Sequence, residues 1–156
     1  MTSPDELAAA FRARGLKLTP QRNAVFRALD GNVSHPTAEA VHAAVVAELP
    51  NVSLRTVYSV LAELTEIGAV NQLELGTGAY RFDPNVGAHH HLECERCGQV
   101  RDVHVDHPEV HPDAADGDGF QITGTEIVFR GVCGTCASEG GAESVATPIN
   151  RIPINN

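Results

Sequence analysis

Apolar residues recur at helical spacing in four segments before Gly68, and a helix-capping residue stands at the start of each segment. These start signals are Ser3 with Pro4, Thr19 with Pro20, the run His35-Pro36-Thr37, and Ser53. Ser and Thr side chains accept hydrogen bonds from the free N–H groups of a first helical turn, and Pro fits the first helical position. The predicted helices end near Arg14, at Asp30, before Pro50 and at Gly68.

The third and fourth segments show the periodicity most clearly. One face of the third predicted helix carries Ala40, Val41, Ala44, Val45 and Leu49. The stripe of the fourth predicted helix consists of Leu54, Val57, Leu61 and Leu64. We expect both faces to be buried in the core of the N-terminal half.

The hydrophobic period changes to two after Gly68. Residues 69–75 and 79–83 flank the run Gly76-Thr77-Gly78, which predicts a short β-hairpin. Helices followed by a two-stranded wing, with a short turn before the last helix, are the order of elements in a winged helix-turn-helix. We therefore expect a DNA-binding domain over residues 1–83.

The exposed side of the fourth predicted helix is a candidate DNA-contacting surface. Its first turns carry Arg55, Thr56, Tyr58 and Ser59. A recognition helix presents these turns to base edges and phosphates, and Arg55 and Tyr58, three residues apart, share a face. A solvated helix face with one surface tyrosine would show the same residues, so both interpretations stay open at this level.

Beyond Pro84 the pattern indicates a second, smaller α+β unit. Strand-like segments cover residues 89–95, 99–105 and 119–132. The stretch 106–118 contains prolines, glycine and several aspartates and supports at most a short helix. The limits that we expect are a hinge at 84–88, a second domain at 89–137 and a flexible tail at 138–156.

Charge is unevenly distributed along the chain, whose net charge is −9 at neutral pH. Up to Tyr80 it carries 6 Lys and Arg against 8 Asp and Glu, and the remainder carries 5 against 12. Contact with nucleic acid therefore belongs in the first half and depends on a few well-placed residues. The sequence has neither an apolar run of about 18 residues nor a signal peptide, which predicts a cytoplasmic protein without a membrane span.

The 4 cysteines form two C-x-x-C pairs, Cys94 with Cys97 and Cys133 with Cys136. In a reducing cytoplasm this arrangement indicates a metal site rather than disulfides. Four thiolates close the tetrahedral shell of a structural Zn²⁺, which would staple the two ends of the second domain together. Redox-active or incidental pairs are the alternative.

A second group of candidate ligands lies around the first cysteine pair. His89 and His91 are two residues apart on a predicted strand, so they point to one face, and Asp83 and Asp102 can approach the same face. Imidazole and carboxylate groups suit Fe²⁺, Mn²⁺, Ni²⁺ or Zn²⁺. An accidental histidine run on an exposed strand is the alternative, which the two aspartates weaken.

Five motifs give the chain a family resemblance from about Leu16 to Cys136. The motifs are LTPQR at 18–22, SHPTAEAV at 34–41, SLRTVYSVL at 53–61, HHHLECERCG at 89–98 and CGTC at 133–136. Through them the chain resembles the ferric uptake regulator family of metal-dependent repressors. The resemblance implies an α+β fold, in which an N-terminal winged helix-turn-helix domain is joined by a hinge to a small α/β dimerisation domain with a four-cysteine zinc site.

The resemblance also implies a regulatory site for Fe²⁺ or Mn²⁺. Its ligands would be His35, Asp83, His89, His91 and Asp102. Aspartate at both 83 and 102 is most similar to the peroxide-responsive branch of the family. Lys17 and Arg22 are implied to touch the DNA backbone or minor groove. Ser59 stands where iron regulators often have arginine, and we hypothesise that Arg55 supplies that charge.

These features predict a homodimeric repressor of double-stranded DNA operators, without enzymatic activity. His35 lies in the DNA-binding half, Asp83 at the hinge, and the other three ligands in the second domain. One ion bound by all five therefore favours one relative orientation of the domains. In the peroxide-sensing version, metal-catalysed oxidation of a ligating histidine opens this lock.

Three other functions are compatible with parts of the sequence. An iron-, zinc- or nickel-responsive uptake repressor would use the metal itself as co-repressor. A hydrolytic metal centre also uses histidines and carboxylates, but no nucleophile elbow, H-E-x-x-H helix or phosphate loop accompanies them. A metal-buffering protein would not need four capped helices and a wing.

Overall fold

The computed structural model describes residues 3–75, 78–105 and 119–139. The first half contains four α-helices: α1, Pro4–Ala13; α2, Pro20–Leu29; α3, Ala38–Val46; and α4, Leu54–Glu66. Each helix is preceded by an N-cap residue whose side chain accepts a hydrogen bond from a backbone N–H of the first turn. These caps are Ser3, Thr19, Thr37 and Ser53. The four predicted helix starts are confirmed.

An apolar core holds the four helices together. Phe11 of α1, Phe26 of α2 and Leu61 of α4 are almost completely buried in it. The rings of Phe11 and Phe26 meet edge to face, with their centroids 5.0 Å apart. Burying a side chain of this size contributes roughly 1.5–3 kcal/mol, so the helices pack as one unit.

Helix α3 differs from its prediction in length and in buried face. It ends at Val46 rather than before Pro50, because proline disfavours helical backbone at the preceding residue and the chain leaves the helix over the last turn. The buried residues of α3 are Ala38, Val41 and Val45. Ala40 and Ala44 are exposed, because the larger valines bury more apolar surface and set the rotation of the helix.

The predicted wing is confirmed as a two-stranded antiparallel hairpin. Its strands are β1, Asn71–Leu73, and β2, Arg81–Asp83. Phe82 N donates to Pro36 O at 3.0 Å, and Arg81 Nη1 donates to His35 O at 3.0 Å. The wing is therefore fastened to the segment that carries His35, and Asp83 lies at the end of the wing strand rather than in the hinge.

The second unit is a three-stranded sheet with a short helix. Its elements are β3, His90–Cys94; β4, Val100–Val103; β5, Val128–Gly131; and α5, Gly134–Glu139. Strand β3 lies in the middle, antiparallel to β4 and parallel to β5. His91 pairs with Asp102 on one side and with Val128 on the other. The wing, the helices and this sheet confirm the expected α+β architecture.

Two parts of the second unit differ from the sequence prediction. Residues 120–127 form no strand, because β3 begins only at His90 and the parallel pairing of β5 with it starts at Val128. Helix α5 was not predicted, and it reaches Glu139, just inside the predicted tail. The stretch 106–118, for which we predict at most a short helix, and the tail residues 140–156 lie outside the described residues.

The proposed domain limits remain predictions. They are compatible with β2 ending at Asp83 and β3 beginning at His90. Within the described ranges, no helix combines the length and the apolar character that crossing a bilayer requires.

Candidate metal centres

Four thiols meet where the two ends of the second unit come together. The Sγ atoms of Cys94, Cys97, Cys133 and Cys136 all lie within 4.8 Å of one another. The parallel pairing of Cys94 with Gly131 brings the second C-x-x-C pair, around the start of α5, against the first. The chain thus forms the four-cysteine site for a metal that the spacing predicts.

The thiols of this site are not joined by disulfides and do not ionise alike. Cys97 Sγ and Cys133 Sγ are 3.8 Å apart, far beyond the disulfide length of about 2.05 Å. The backbone N–H groups of Cys133 and Cys97 lower the pKa of Cys94 to about 6, whereas the neighbouring thiols, first Cys133, raise the pKa of Cys136 to about 12. All four can ionise together only if a cation offsets their charge.

The second cluster draws its residues from both units. His35 precedes α3 and Asp83 ends β2, whereas His91 lies in β3 and His89 directly precedes that strand. One possible ligand atom from each of these four residues lies within 4.8 Å of the others. Asp102 of β4 joins them, since its Oδ1 is 2.7 Å from His35 Nε2. All five residues that the family resemblance implies are therefore brought together.

One carboxylate oxygen of each aspartate accepts a hydrogen bond from Asn85, and the other oxygen faces the histidines of the cluster. Asp83 Oδ1 accepts from Asn85 N at 2.8 Å, and Asp102 Oδ2 accepts from Asn85 Nδ2 at 3.1 Å. Asp83 Oδ2 then faces His89 Nε2 at 3.0 Å. Asn85 thus orients carboxylates from both units.

The imidazoles of His89 and His91 are held in the same tautomer. His89 Nδ1 donates to Gly87 O at 2.7 Å, because a carbonyl can only accept, and His91 Nδ1 lies 2.9 Å from Glu126 Oε1. In the neutral rings both Nε2 lone pairs then face each other at 2.9 Å. They repel unless a cation lies between them, so the arrangement of the two rings fits a bound metal ion.

His35 is the most constrained member of the cluster. It is buried, and its φ of 50° is the only positive value for a non-glycine residue in the described parts of the chain. Its two ring nitrogens and Asp83 Oδ2 are buried without a hydrogen bond, because the short contact with Asp102 is not aligned as one. A buried unpaired polar group costs roughly 1–3 kcal/mol. A metal ion in the cluster would satisfy His35 Nε2 and Asp83 Oδ2, since these two atoms face the other candidate ligands.

The protonation states also suit a metal. Burial lowers the pKa of His35, against the opposing effect of the Asp83 and Asp102 carboxylates. Burial alone would raise the pKa of Asp102, but the hydrogen bond from Asn85 and the nearby histidines hold it below its ordinary value. Neutral imidazole and ionised carboxylate are the forms that coordinate metals. The chain therefore has a His/Asp site for a metal beside the four-cysteine site.

Most of the predicted DNA contacts lie at the surface of the winged-helix part. Arg55, Tyr58 and Ser59 are exposed on α4, and Lys17 is exposed before α2. Thr56 is half-buried, with its hydroxyl 2.8 Å from that of Ser53. Among the residues that the structure describes, the Arg55 guanidinium makes no hydrogen bond or ion pair.

Arg22 is bound inside the N-terminal unit instead. Its guanidinium forms two hydrogen bonds with Glu63 of α4, at 3.1 and 2.7 Å, and donates to Lys17 O. It also lies over the ring of Phe11, 5.2 Å from the centroid. Arg22 therefore ties α2 to α4, and Arg55 is the more accessible cation.

Comparison with known proteins agrees with this arrangement. The model of the ferric uptake regulator family matches residues 13–130. The chain belongs to the ferric uptake regulator family. One relative in that family, the peroxide-responsive repressor PerR of Staphylococcus epidermidis (strain ATCC 12228 / FDA PCI 1200), is 37% identical over 137 residues, which are 87% of this chain and 91% of the relative.

Solved structures of ferric uptake regulator proteins have the same fold. The peroxide stress regulator of Campylobacter jejuni is 26% identical with a TM-score of 0.61, over 84% of this chain and 99% of that one. The ferric uptake regulator of Pseudomonas aeruginosa with manganese is 26% identical with a TM-score of 0.60, over 81% and 97%.

Two residues around the His/Asp site of this family member were missed by sequence reasoning. Asn85 stands between Pro84 and Gly87, a turn composition that could have indicated a side chain bonding its own backbone. Glu126 carries no local signal, since it reaches His91 only through the parallel pairing of β5 with β3.

Proposed function

We propose that the protein is a metal-dependent, DNA-binding transcriptional repressor that senses peroxide through oxidation of a ligating histidine. One observation carries the proposal: a single cluster contains His35 and Asp83 from the winged-helix part and His89 and His91 from the sheet, with Asp102 beside them. An ion held by both parts favours one relative orientation of them, by its higher affinity for that orientation. The metal-loaded protein would bind its operator, and the metal-free protein would release it.

The donor atoms of the two sites suit different metals. Four thiolates fit a structural Zn²⁺, whose binding energy contributes to the folding of a small unit. Imidazole and carboxylate donors fit Fe²⁺ or Mn²⁺, and the similar Pseudomonas aeruginosa structure is described with manganese. We assign Zn²⁺ to Cys94, Cys97, Cys133 and Cys136. We assign Fe²⁺ or Mn²⁺ to His35, Asp83, His89, His91 and Asp102.

The likeness to a peroxide-responsive repressor supports the peroxide signal. Fe²⁺ held by these residues would supply the redox chemistry that cleaves the O–O bond of H₂O₂, so that one oxygen leaves as water and the other replaces a ring hydrogen of a ligating histidine. His35 and His89 turn buried ring nitrogens toward the aspartates of the cluster, so an oxygen atom added to either ring alters a ligand. An oxidised ring binds metal less well, and the two parts lose the ion that they share. Mn²⁺ would support repression without sensing.

The surface around α4 is the proposed DNA-binding face. Its exposed residues Arg55, Tyr58 and Ser59, with Thr56 and Lys17, can contact phosphates and base edges when α4 enters the major groove. Arg22 would support this face by holding α2 against α4. Replacing Arg55 by Ala is expected to cost roughly 1–3 kcal/mol of operator affinity, whereas Arg14→Ala, at the end of α1, serves as the charge-matched control.

An exposed apolar face of the sheet supports a homodimer. Leu92, Phe129 and Val132 are 45%, 40% and 43% exposed, and Leu92 and Phe129 are neighbours across β3 and β5. Contiguous exposed apolar groups of this kind mark an interaction surface. A two-fold axis through this face would present two α4 helices to a palindromic operator about one helical turn apart. As a repressor, the protein would act in the cytoplasm and without enzymatic activity.

A gel-shift experiment tests the metal dependence. An operator is first selected from random duplex DNA with Mn²⁺-loaded protein, and binding is then measured with Mn²⁺ and with a chelator that leaves the zinc in place. We expect binding only with Mn²⁺, loss of binding in His89→Ala, and retention in His104→Ala, whose exposed imidazole lies outside the cluster. Equal binding with chelator would contradict the proposal.

An uptake repressor that responds to the metal itself is the second candidate, favoured by the likeness to the Pseudomonas aeruginosa ferric uptake regulator. Mass spectrometry of peroxide-treated, Fe²⁺-loaded protein separates the two functions. An oxygen atom added to the peptides containing His35, His89 or His91 supports peroxide sensing. Unmodified peptides, together with DNA release by chelation, support metal sensing.

A further inference from the structure

Glu126 lies directly behind one of the candidate ligands. Its Oε1 is 2.9 Å from His91 Nδ1, on the side of the ring opposite to the cluster. The neighbouring backbone fixes this approach, because His91 N donates to Ile127 O at 3.0 Å and Ile127 N donates to His90 Nδ1 at 3.3 Å. We propose that Glu126 is a positioning residue that holds His91 as a stronger ligand of the His/Asp site than His89.

A carboxylate in this position does two things to the ring. It accepts the Nδ1 proton, so the lone pair of the neutral imidazole lies on Nε2, which faces His89 Nε2 and Asp83 Oδ2. It also places a negative charge against the imidazole, which increases the electron-donating power of Nε2. The His91 side chain is 3% exposed and that of Glu126 is 49% exposed, so the charge is solvated while the ring is not.

His89 provides an internal comparison. Its Nδ1 donates to the carbonyl of Gly87, a neutral acceptor, whereas His91 has a charged one. His89 and His91 therefore differ in donor strength although both present Nε2 to the cluster. Carboxylate partners of metal-binding histidines typically change metal affinity by about 10- to 100-fold. The inference rests on the proposed function, because it assigns a role to Glu126 at the same site.

Metal affinity is the first measurement. Mn²⁺ binding to the zinc-containing protein is titrated for wild type, Glu126→Ala, Glu126→Gln and the control Glu66→Gln, which removes the same charge from an exposed position at the end of α4. We expect Glu126→Ala to weaken binding by about 10- to 100-fold. Glu126→Gln should recover part of the loss, because the amide oxygen still accepts, and Glu66→Gln should bind as wild type. Equal affinities for all four proteins would overturn the inference.

Ring tautomers give a readout that a purely structural role would not change. Long-range ¹H–¹⁵N spectra of the metal-free protein should show His91 protonated at Nδ1 in wild type and in Glu66→Gln. In Glu126→Ala, His91 should shift toward the Nε2 tautomer while His89 keeps its own pattern. An unchanged His91 pattern would also overturn the inference.

The same measurements distinguish failure of the positioning role from failure of the proposed repressor function. If wild type binds DNA with Mn²⁺ and Glu126→Ala binds Mn²⁺ equally well, the positioning role fails while the repressor function stands. If the affinity and tautomer changes occur but wild type binds no DNA with Mn²⁺, the repressor function fails while the positioning of His91 by Glu126 stands.

Discussion

Tyr58 of α4 and Glu39 of α3 interact on the surface that we assign to DNA. Tyr58 Oη donates to Glu39 Oε1 at 2.8 Å. This hydrogen bond, with smaller contributions from burial and from the negative charge, raises the pKa of Tyr58 above its ordinary value of 10.0, and it lowers the pKa of Glu39. An acidic group therefore fixes the aromatic ring that would meet the DNA.

Glu39→Gln is expected to lower the pKa of Tyr58 toward its ordinary value, because the phenol loses its charged acceptor. The measurement is the ultraviolet absorbance of the phenolate as pH rises, in a Tyr80→Phe background that leaves one of the 2 tyrosines. Glu48→Gln is the control, since Glu48 binds Arg27 instead. A Tyr58 titration that is identical in the three proteins would show that the hydrogen bond is absent in solution.

At the scale of single residues, the ligands could be predicted but not the groups that orient them. His89 and His91 could be predicted as ligands because they are two residues apart in a predicted strand. Asp83 could be predicted because it carries a carboxylate and lies nearby in the chain. His35 is distant in sequence and was indicated only by the family resemblance. Asn85 and Glu126 are ordinary polar residues in the sequence, because their roles arise from one turn and from one parallel strand pairing.

Among the elements, α1 has the most complete start signal. Ser3 Oγ accepts from Glu6 N at 3.3 Å, and Glu6 Oε2 accepts from Ser3 N at 2.7 Å. Ser3→Ala removes an acceptor for a free N–H group and is expected to cost about 1 kcal/mol of unfolding free energy. Denaturant unfolding of the zinc-loaded protein measures the difference.

The effect of Ser3→Ala should depend on pH. Hydrogen bonds from Ser3 lower the pKa of Glu6 below its ordinary value of 4.5. A group with a lowered folded-state pKa contributes stability above its unfolded-state pKa, and this contribution disappears as pH falls through the folded-state pKa. The difference in unfolding free energy between wild type and Ser3→Ala should therefore become smaller as the pH falls. A difference that grows in acid would contradict the pair of hydrogen bonds between Ser3 and Glu6.

Element boundaries show where local signals stop being sufficient. Helix starts were predicted correctly because a cap acts on the next few residues. The first residue of β5 depends on where its partner β3 begins, because the two strands pair in parallel. This boundary is set by tertiary structure rather than by the local sequence. Helix α5 is short and carries no apolar period. It is held by the thiol cluster and by Arg96, whose Nη1 donates to Cys136 O at 2.6 Å.

Across the whole molecule, the two metal centres share the same strands. Strand β3 carries His91 near one end and Cys94 at the other, and β5 pairs Val128 with His91 and Gly131 with Cys94. The segment that presents Glu126 leads directly into β5. We therefore expect order at the thiol end of the sheet to support order at the histidine end.

Cys136→Ser is expected to release the zinc and to weaken Mn²⁺ affinity by at least about tenfold, although Cys136 is not part of the His/Asp site, because zinc binding energy is folding energy for a small unit. Zinc content and Mn²⁺ titration measure the two effects. Ser138→Ala on the same short helix is the control. Wild-type Mn²⁺ affinity in zinc-free protein would show that the centres are independent.

Consecutive short-range hydrogen bonds run from Asp83 to His89, along the segment that contains the predicted hinge at 84–88. Asp83 Oδ1 accepts from Asn85 N, Asn85 Oδ1 accepts from Gly87 N, and Gly87 O accepts from His89 Nδ1. We therefore expect the number of residues in this segment, more than their identity, to fix the distance between the wing and the sheet. One glycine inserted after Val86 would keep every ligand, the thiol cluster and the DNA-binding face. It should nevertheless abolish Mn²⁺-dependent DNA binding, so working relatives of this chain should tolerate substitutions here far better than changes in length.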